Sequence, residues 1–152
     1  MEIDREGLEV LDRAECLRLL GGAAVGRIAG TSGALPVVLP LRYALDGDSI
    51  VFETAPGTTV DFVSSGSVVA FEVDNLHERG HCSWTVMVTG VARPVEDDPE
   101  IDHLRRLLAD DSAGRDAQVV RISLELVSGR RTHRTHRFAR SRAAARPAER
   151  VG

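Results

Sequence analysis

The sequence contains no lysine, so all 19 of its basic residues are arginine. That absence excludes Schiff-base chemistry and any lysine contact to phosphate. Aromatic residues are scarce, with one tryptophan, one tyrosine and four phenylalanines in 152 residues. No apolar run approaches the roughly 18 residues needed to span a bilayer. The acidic start at Glu2, Asp4 and Glu6 lacks the basic-then-apolar order of a targeting segment, so a cytoplasmic protein is expected. Cysteine is rare as well: Cys16 and Cys82 lie far apart, without disulfide or metal spacing, and read as free buried thiols. The five histidines (His77, His81, His103, His133, His136) do not join them in a ligand pattern, and no metal is expected.

What is present is a globular balance, 43% hydrophobic and 28% charged, at the length of one domain. Charge is divided along the chain. From Arg130 onward eight arginines face the single Glu149, a net +7, which leaves −11 on residues 1–129. The expected organisation is a folded unit over residues 1–128 and an arginine-rich C-terminal end over 129–152, partly disordered.

Leu11 to Leu20 reads as a short helix, capped by Asp12 with Glu15 three residues on and stopped by Gly21-Gly22. Val25–Ala29 and Leu35–Arg42 are β-rich runs separated by Gly30-Thr31-Ser32-Gly33, and form a predicted hairpin. Asp46-Gly47 between two apolar runs is a stronger hairpin signal. After Ala55-Pro56-Gly57, Thr58 to Ser64 fits a brief helix and Ser67 to Asp74 a strand. Cys82 to Pro94 is the longest extended run, with Gly90 a candidate bulge. Asp97 and Asp98 open a second helix carrying Ile101, Leu104, Leu107 and Leu108 on one stripe. Ala117 to Val127 supplies a final strand. About six short strands with tight turns and a few small helices predict a mainly β fold, a barrel or sandwich.

The run Val25-Gly26-Arg27-Ile28-Ala29, then Leu35 through Tyr43, Asp46 through Phe52, Thr54-Ala55-Pro56-Gly57-Thr58, Val68 through Asp74, and Trp84 through Gly90 resembles the pyridoxamine 5'-phosphate oxidase-like proteins. Glu15 to Leu20 resembles the first helix of that family, and the likeness covers roughly residues 10 to 130. The resemblance implies a Greek-key-like split β-barrel and a homodimer, with FMN or a deazaflavin held in grooves at the subunit interface and a small-molecule ligand beside it. By the same resemblance, the cofactor site would be drawn from Pro40, Leu41, Arg42, Glu53, Thr54, Thr58, Thr59, Trp84 and Thr85.

FMN-binding members commonly carry a basic residue on the strand before the phosphate turn and another in the turn, because a dianionic phosphate needs charge-assisted donors. Glu53 and Thr59 stand at those positions here. A carboxylate beside a phosphate costs roughly 2–5 kcal/mol, so weak FMN affinity is expected unless another group compensates. Arg42 is one candidate, reaching either a neighbouring carboxylate such as Glu53 or the ligand, and the C-terminal arginines are another.

Thr54 has a hydroxyl for phosphate or ribityl oxygen but is also a good strand former. Trp84 suits either flavin cover or dimer packing, and Tyr43 reads as a barrel-end packing residue. No nucleophile–base pair emerges from spacing, so no catalytic residue is assigned; a flavin would carry the chemistry itself. The leading function is a flavin- or deazaflavin-dependent oxidoreductase of undefined substrate. The alternative is a split barrel without FMN, acting as a ligand- or partner-binding dimer. The arginine-rich end is read as a solvated tail after a structural Gly129-Arg130 rather than as a nucleic-acid site.

Overall fold

A computed structural model describes residues 1–55, 66–76, 83–108 and 116–132. Among these are ten strands, β1 (Glu2–Ile3), β2 (Glu9–Leu11), β3 (Val25–Ser32), β4 (Leu35–Arg42), β5 (Ala44–Asp46), β6 (Ser49–Thr54), β7 (Val68–Asn75), β8 (Trp84–Pro94), β9 (Gln118–Ser123) and β10 (Leu126–Arg131). Two helices accompany them, α1 (Arg13–Gly21) and α2 (Asp98–Leu108). The segment Thr58 to Ser64, Cys82 and all the histidines except His103 lie outside the described residues.

Local chemistry sets the boundaries. Asp12 caps α1 by accepting from the Glu15 N–H at 2.8 Å, and Asp97 does the same for the Glu100 N–H at 3.2 Å before α2. The β5–β6 turn places Gly47 at its first central position with a positive φ. The β3–β4 turn lies later than the sequence suggests. Gly30 and Thr31 pair with Val37 and Pro36, and the turn is Gly33-Ala34, with φ of 52° and 68°. Two consecutive positive φ values are what a type I′ hairpin requires.

All the strand pairs are antiparallel, and the large sheet runs β1-β2-β10-β8-β7-β3-β4. A second set, β5-β6-β9, joins it through β8. Residues Val91 and earlier on β8 pair with β7, whereas Ala92–Pro94 pair with β9. Gly90 sits at this crossover. It keeps its ladder position opposite Val69 rather than bulging, and a Cβ there would fall 2.2 Å from the Ser123 carbonyl oxygen. The glycine is required by the close approach of a second backbone. The result is a mainly β, curled half-barrel, the split-barrel architecture read from the sequence.

The single strand expected from Ala117 to Val127 is two strands. They break at Leu124-Glu125, where β9 leaves β6 and β8 and the chain turns into β10 between β8 and β2. β10 continues to Arg131, past the residue 128 boundary. The N-terminal hairpin β1–β2 was not foreseen, because two- and three-residue strands leave too little periodicity to read.

The main core lies inside the curl, with Ile28, Ile50, Phe52, Phe71, Val86, Val88 and Ile122 essentially inaccessible. Leu19 and Leu20 of α1 close one end. A smaller cluster of Val51, Val119 and Leu104 packs α2 onto the outside of β6 and β9. Strand β6 is therefore buried on both faces: even-numbered residues point into the barrel and odd-numbered ones toward α2.

Candidate functional site

The two faces of β6 decide where Glu53 goes. Its position follows Val51, on the α2 side, and its carboxylate accepts from Arg105 Nε at 2.9 Å. Arg105 also donates to the Ala117 carbonyl at 2.9 Å. The Glu53 side chain is only 10% exposed. The arginine that compensates Glu53 is thus supplied by α2, a partner that no local spacing reveals across 52 residues. Thr54 follows on the opposite face and pairs with Gln118. Thr58 and Thr59 lie outside the described residues.

The other expected site residues gather at one end of the large sheet. Arg42, the exposed last residue of β4, pairs with Val25, and Thr85 pairs with Asp74 on one side and Arg130 on the other. Arg27 links the middle of this end by reaching Asp74 at 2.5 Å and Glu72 at 3.4 Å. Pro40-Leu41-Arg42 and Trp84-Thr85 are therefore separated by β3 and β7, three strand spacings or about 14 Å. They share an edge of the molecule but do not converge within one chain.

Trp84 and Thr85 do line a recess, together with Leu8, Leu76, Arg130 and Thr132. Leu8, Leu76 and the half-buried indole give it an apolar wall, and the hydroxyls and Arg130 give it a polar one. Thr132 is held in place: its N–H donates to the Ser83 carbonyl at 2.8 Å, and its hydroxyl accepts from the Ser83 N–H at 3.0 Å.

The adjacent arginines differ sharply. Arg131 is consumed by Glu15 and by Glu9 at 3.8 Å. Glu15 also receives Arg18, and these two guanidinium groups, Arg18 foremost, pull its carboxyl down to about 2. Arg130 faces one carboxylate, Asp4, at 3.1 Å from its Nε, and its side chain is 56% exposed.

Gly129 before them is structural as expected, since a Cβ would meet Cys16 Sγ at 2.6 Å. Cys16 itself is fully buried, and desolvation raises its thiol above the usual range, which makes it a packing residue. No group of three or more His, Cys, Asp or Glu suited to a metal occurs among the described residues. No described helix is long and apolar enough to cross a membrane.

Sequence reasoning did not single out Leu8 or Leu76 for this recess, and took in Arg130 only among the C-terminal arginines offered as a compensating charge. The signal was present in part: Asp4 with Gly7 has turn composition, and Gly129-Arg130 reads as a structural pair at the start of the arginine-rich end.

A family model described as pyridoxamine 5'-phosphate oxidase matches residues 12–131. The chain belongs to that family. An uncharacterized protein of Mycobacterium tuberculosis, Rv0080, is 34% identical over 130 residues, which is 82% of this chain and 85% of the relative. Among solved structures, the FAD binding protein from Mycobacterium smegmatis is 30% identical with a TM-score of 0.66, covering 80% of this chain and 95% of that one. A FAD-binding protein from Mesorhizobium loti is 26% identical with a TM-score of 0.71, covering 83% and 99%. The family match starts at residue 12, so the β1–β2 hairpin precedes the shared span.

Proposed function

We propose that this member of the pyridoxamine 5'-phosphate oxidase family is a cytosolic, homodimeric flavin-dependent oxidoreductase, and that its flavin is FAD. The observation that carries the reading is the likeness, over 95% of its length, to a protein described as FAD-binding. The residues present fit such a group. A planar ring system with a phosphorylated arm asks for an apolar wall, a hydroxyl and a cation, and the recess combines Leu8, Leu76 and Trp84 with Thr85 and Arg130. Glu53, which read as an obstacle to phosphate, is turned to α2 and neutralised there by Arg105.

Absence of the usual basic pair at positions 53 and 59 favours the dinucleotide over FMN. A terminal phosphate is dianionic and leans on point charges, whereas each phosphate of a pyrophosphate carries less charge and the adenine adds its own stacking surface. When bound, the flavin supplies hydride and single-electron transfer; this chain's residues bind it, orient it and shield it from water. Pro40-Leu41-Arg42 of one subunit would complete the groove next to Trp84-Thr85 of the other.

The test is a titration of the purified protein with FAD, FMN and a deazaflavin, followed by absorbance and by tryptophan quenching, since Trp84 is the sole tryptophan. Saturable FAD binding, tighter than that of FMN, is the expected result. A protein that binds none of the three would overturn the assignment and favour a barrel that acts as a cofactor-free binding module.

A further inference from the structure

The recess lies where the chain leaves the barrel. Strand β10 ends at Arg131, and Thr132 after it lines the recess together with Trp84 and Leu8. Thr132 is tied to a single residue by three bonds. Its N–H and its hydroxyl donate to the Ser83 carbonyl at 2.8 Å and 3.1 Å, and the hydroxyl accepts from the Ser83 N–H at 3.0 Å. The point from which residues 133–152 start is therefore fixed at the rim. Those residues carry six arginines against the single Glu149, a net +5. Arg134 is two residues past the anchor, a span that extended chain covers in about 7 Å.

The described residues at this end of the sheet leave little positive charge for an anion. Arg131 lies against Glu9 and Glu15, and Arg27 lies against Glu72 and Asp74. Arg130, in the recess wall, has the Asp4 carboxylate 3.1 Å from its Nε. The β1–β2 hairpin beside β10 adds Glu2 and Glu6, both exposed, and residues 1–129 as a whole carry −11. A pyrophosphate brought here meets more carboxylates than guanidinium groups. Lysine cannot redress the balance, because the chain has none. Further arginine can, and the run that holds it begins at the rim.

We infer that residues 133–152 are part of the flavin site: their arginines supply the charge-assisted donors to the cofactor's phosphates that Glu53 and Thr59 do not. The inference rests on the flavin reading and adds to it a segment that the family match, ending at residue 131, does not contain. Two effects of such a segment oppose each other. Its charge draws a phosphorylated ligand in, and its bulk would cover the recess. Composition decides between them, because the segment holds one aromatic residue, Phe138, and no Leu, Ile or Met, too little apolar surface to hold a lid against Trp84 and Leu76. Pairing of its arginines with Glu2 and Glu6 is a surface interaction, weak and exchangeable. Attraction dominates, and affinity for phosphorylated flavins rises.

The test uses the full chain with Arg134→Gln, Arg137→Gln, Arg140→Gln and Arg142→Gln combined, changes that all lie beyond the end of β10. Dissociation constants for FAD and for riboflavin, which has no phosphate, are measured for this variant and the wild type at low and at physiological salt. Expected are a roughly tenfold loss of FAD affinity in the variant, riboflavin binding equal in both, and a wild-type FAD affinity that falls with salt where the variant's does not. Replacing the same four residues by Lys keeps the charge and should keep most of the affinity; a loss as large as with Gln overturns the inference. So does unchanged FAD affinity in the Gln variant, or an equal loss for riboflavin. Phe138→Ala checks the opposing effect: unchanged binding of both flavins supports the inference, and tighter binding of both shows a lid and refutes it. In each of these refutations the wild type still binds FAD, so the flavin assignment stands. A wild type that binds neither flavin overturns both.

Discussion

Tyr43, the only tyrosine in the chain, is held on two sides. Its hydroxyl donates to the Leu20 carbonyl at 2.5 Å, and its ring meets Phe71 edge-on at 4.9 Å. Burial pushes the phenol up to about 12 from 10.0. A raised folded-state value favours the protonated form, so this contribution to stability is complete below pH 10 and is lost as pH rises through about 12. Spectrophotometric titration of the single tyrosinate should give a midpoint near 12, with denaturant stability falling only above pH 10. A midpoint close to that of free tyrosine would show that the ring is not packed as described. Ala34 makes the opposite kind of residue-scale statement. A non-glycine residue at φ 68° is strained by about 1 kcal/mol, so Ala34→Gly is expected to gain roughly 0.5 kcal/mol once unfolded-chain entropy is subtracted. Urea midpoints decide it, and a destabilised variant would refute the type I′ turn.

The element that carries most consequence is β6. The apolar run Ile50-Val51-Phe52 looks like any buried strand, and only α2 on its outer face explains why both Phe52 and Val51 are inaccessible. Placing Glu53 on that outer face changes what its replacement should do. Glu53→Arg would set two guanidinium groups against each other beneath α2, with an expected cost of about 2 kcal/mol. It should not create FMN affinity, which a chemical denaturation curve and an FMN titration of the same variant would check together. Recovered FMN binding would show that the side chain turns toward the cofactor after all. Helix α2 is anchored by Leu104, which is wholly buried; Leu104→Ala should cost about 3 kcal/mol with flavin affinity unchanged.

At the scale of the molecule, the outer face of the large sheet stands out. One transverse row reads Val38, Ala29, Ala70, Thr89 and Leu126 across β4, β3, β7, β8 and β10. Val38 is 61%, Leu126 67% and nearby Met87 49% exposed. An exposed apolar sheet face of this extent marks an association surface. Edge-to-edge pairing is disfavoured, because Pro36 and Pro40 remove two donors from β4, the edge strand. Face-to-face dimerisation is therefore the expected mode. Met87→Glu should convert the proposed dimer to a monomer in light scattering and weaken flavin binding with it; a variant that stays dimeric places the interface elsewhere.

Much of this was accessible from residue order alone. The caps Asp12 and Asp97, the turn at Gly47, the two helices and the succession of short strands are local signals: each depends on contacts within a few residues, which the chain carries wherever it goes. The mainly β class and the family likeness follow from their order. Other features depend on where the barrel brings distant residues together. The division of the last extended run at Leu124, the crossover at Gly90, the turn of Glu53 toward Arg105 and the assembly of Leu8, Trp84 and Arg130 around one recess all join positions tens of residues apart. The absence of lysine, visible at the start, excluded one way of holding a phosphate. Which carboxylates tie up Arg105 and Arg131, Glu53 for the first and Glu9 and Glu15 for the second, was settled only by the tertiary structure that places them side by side.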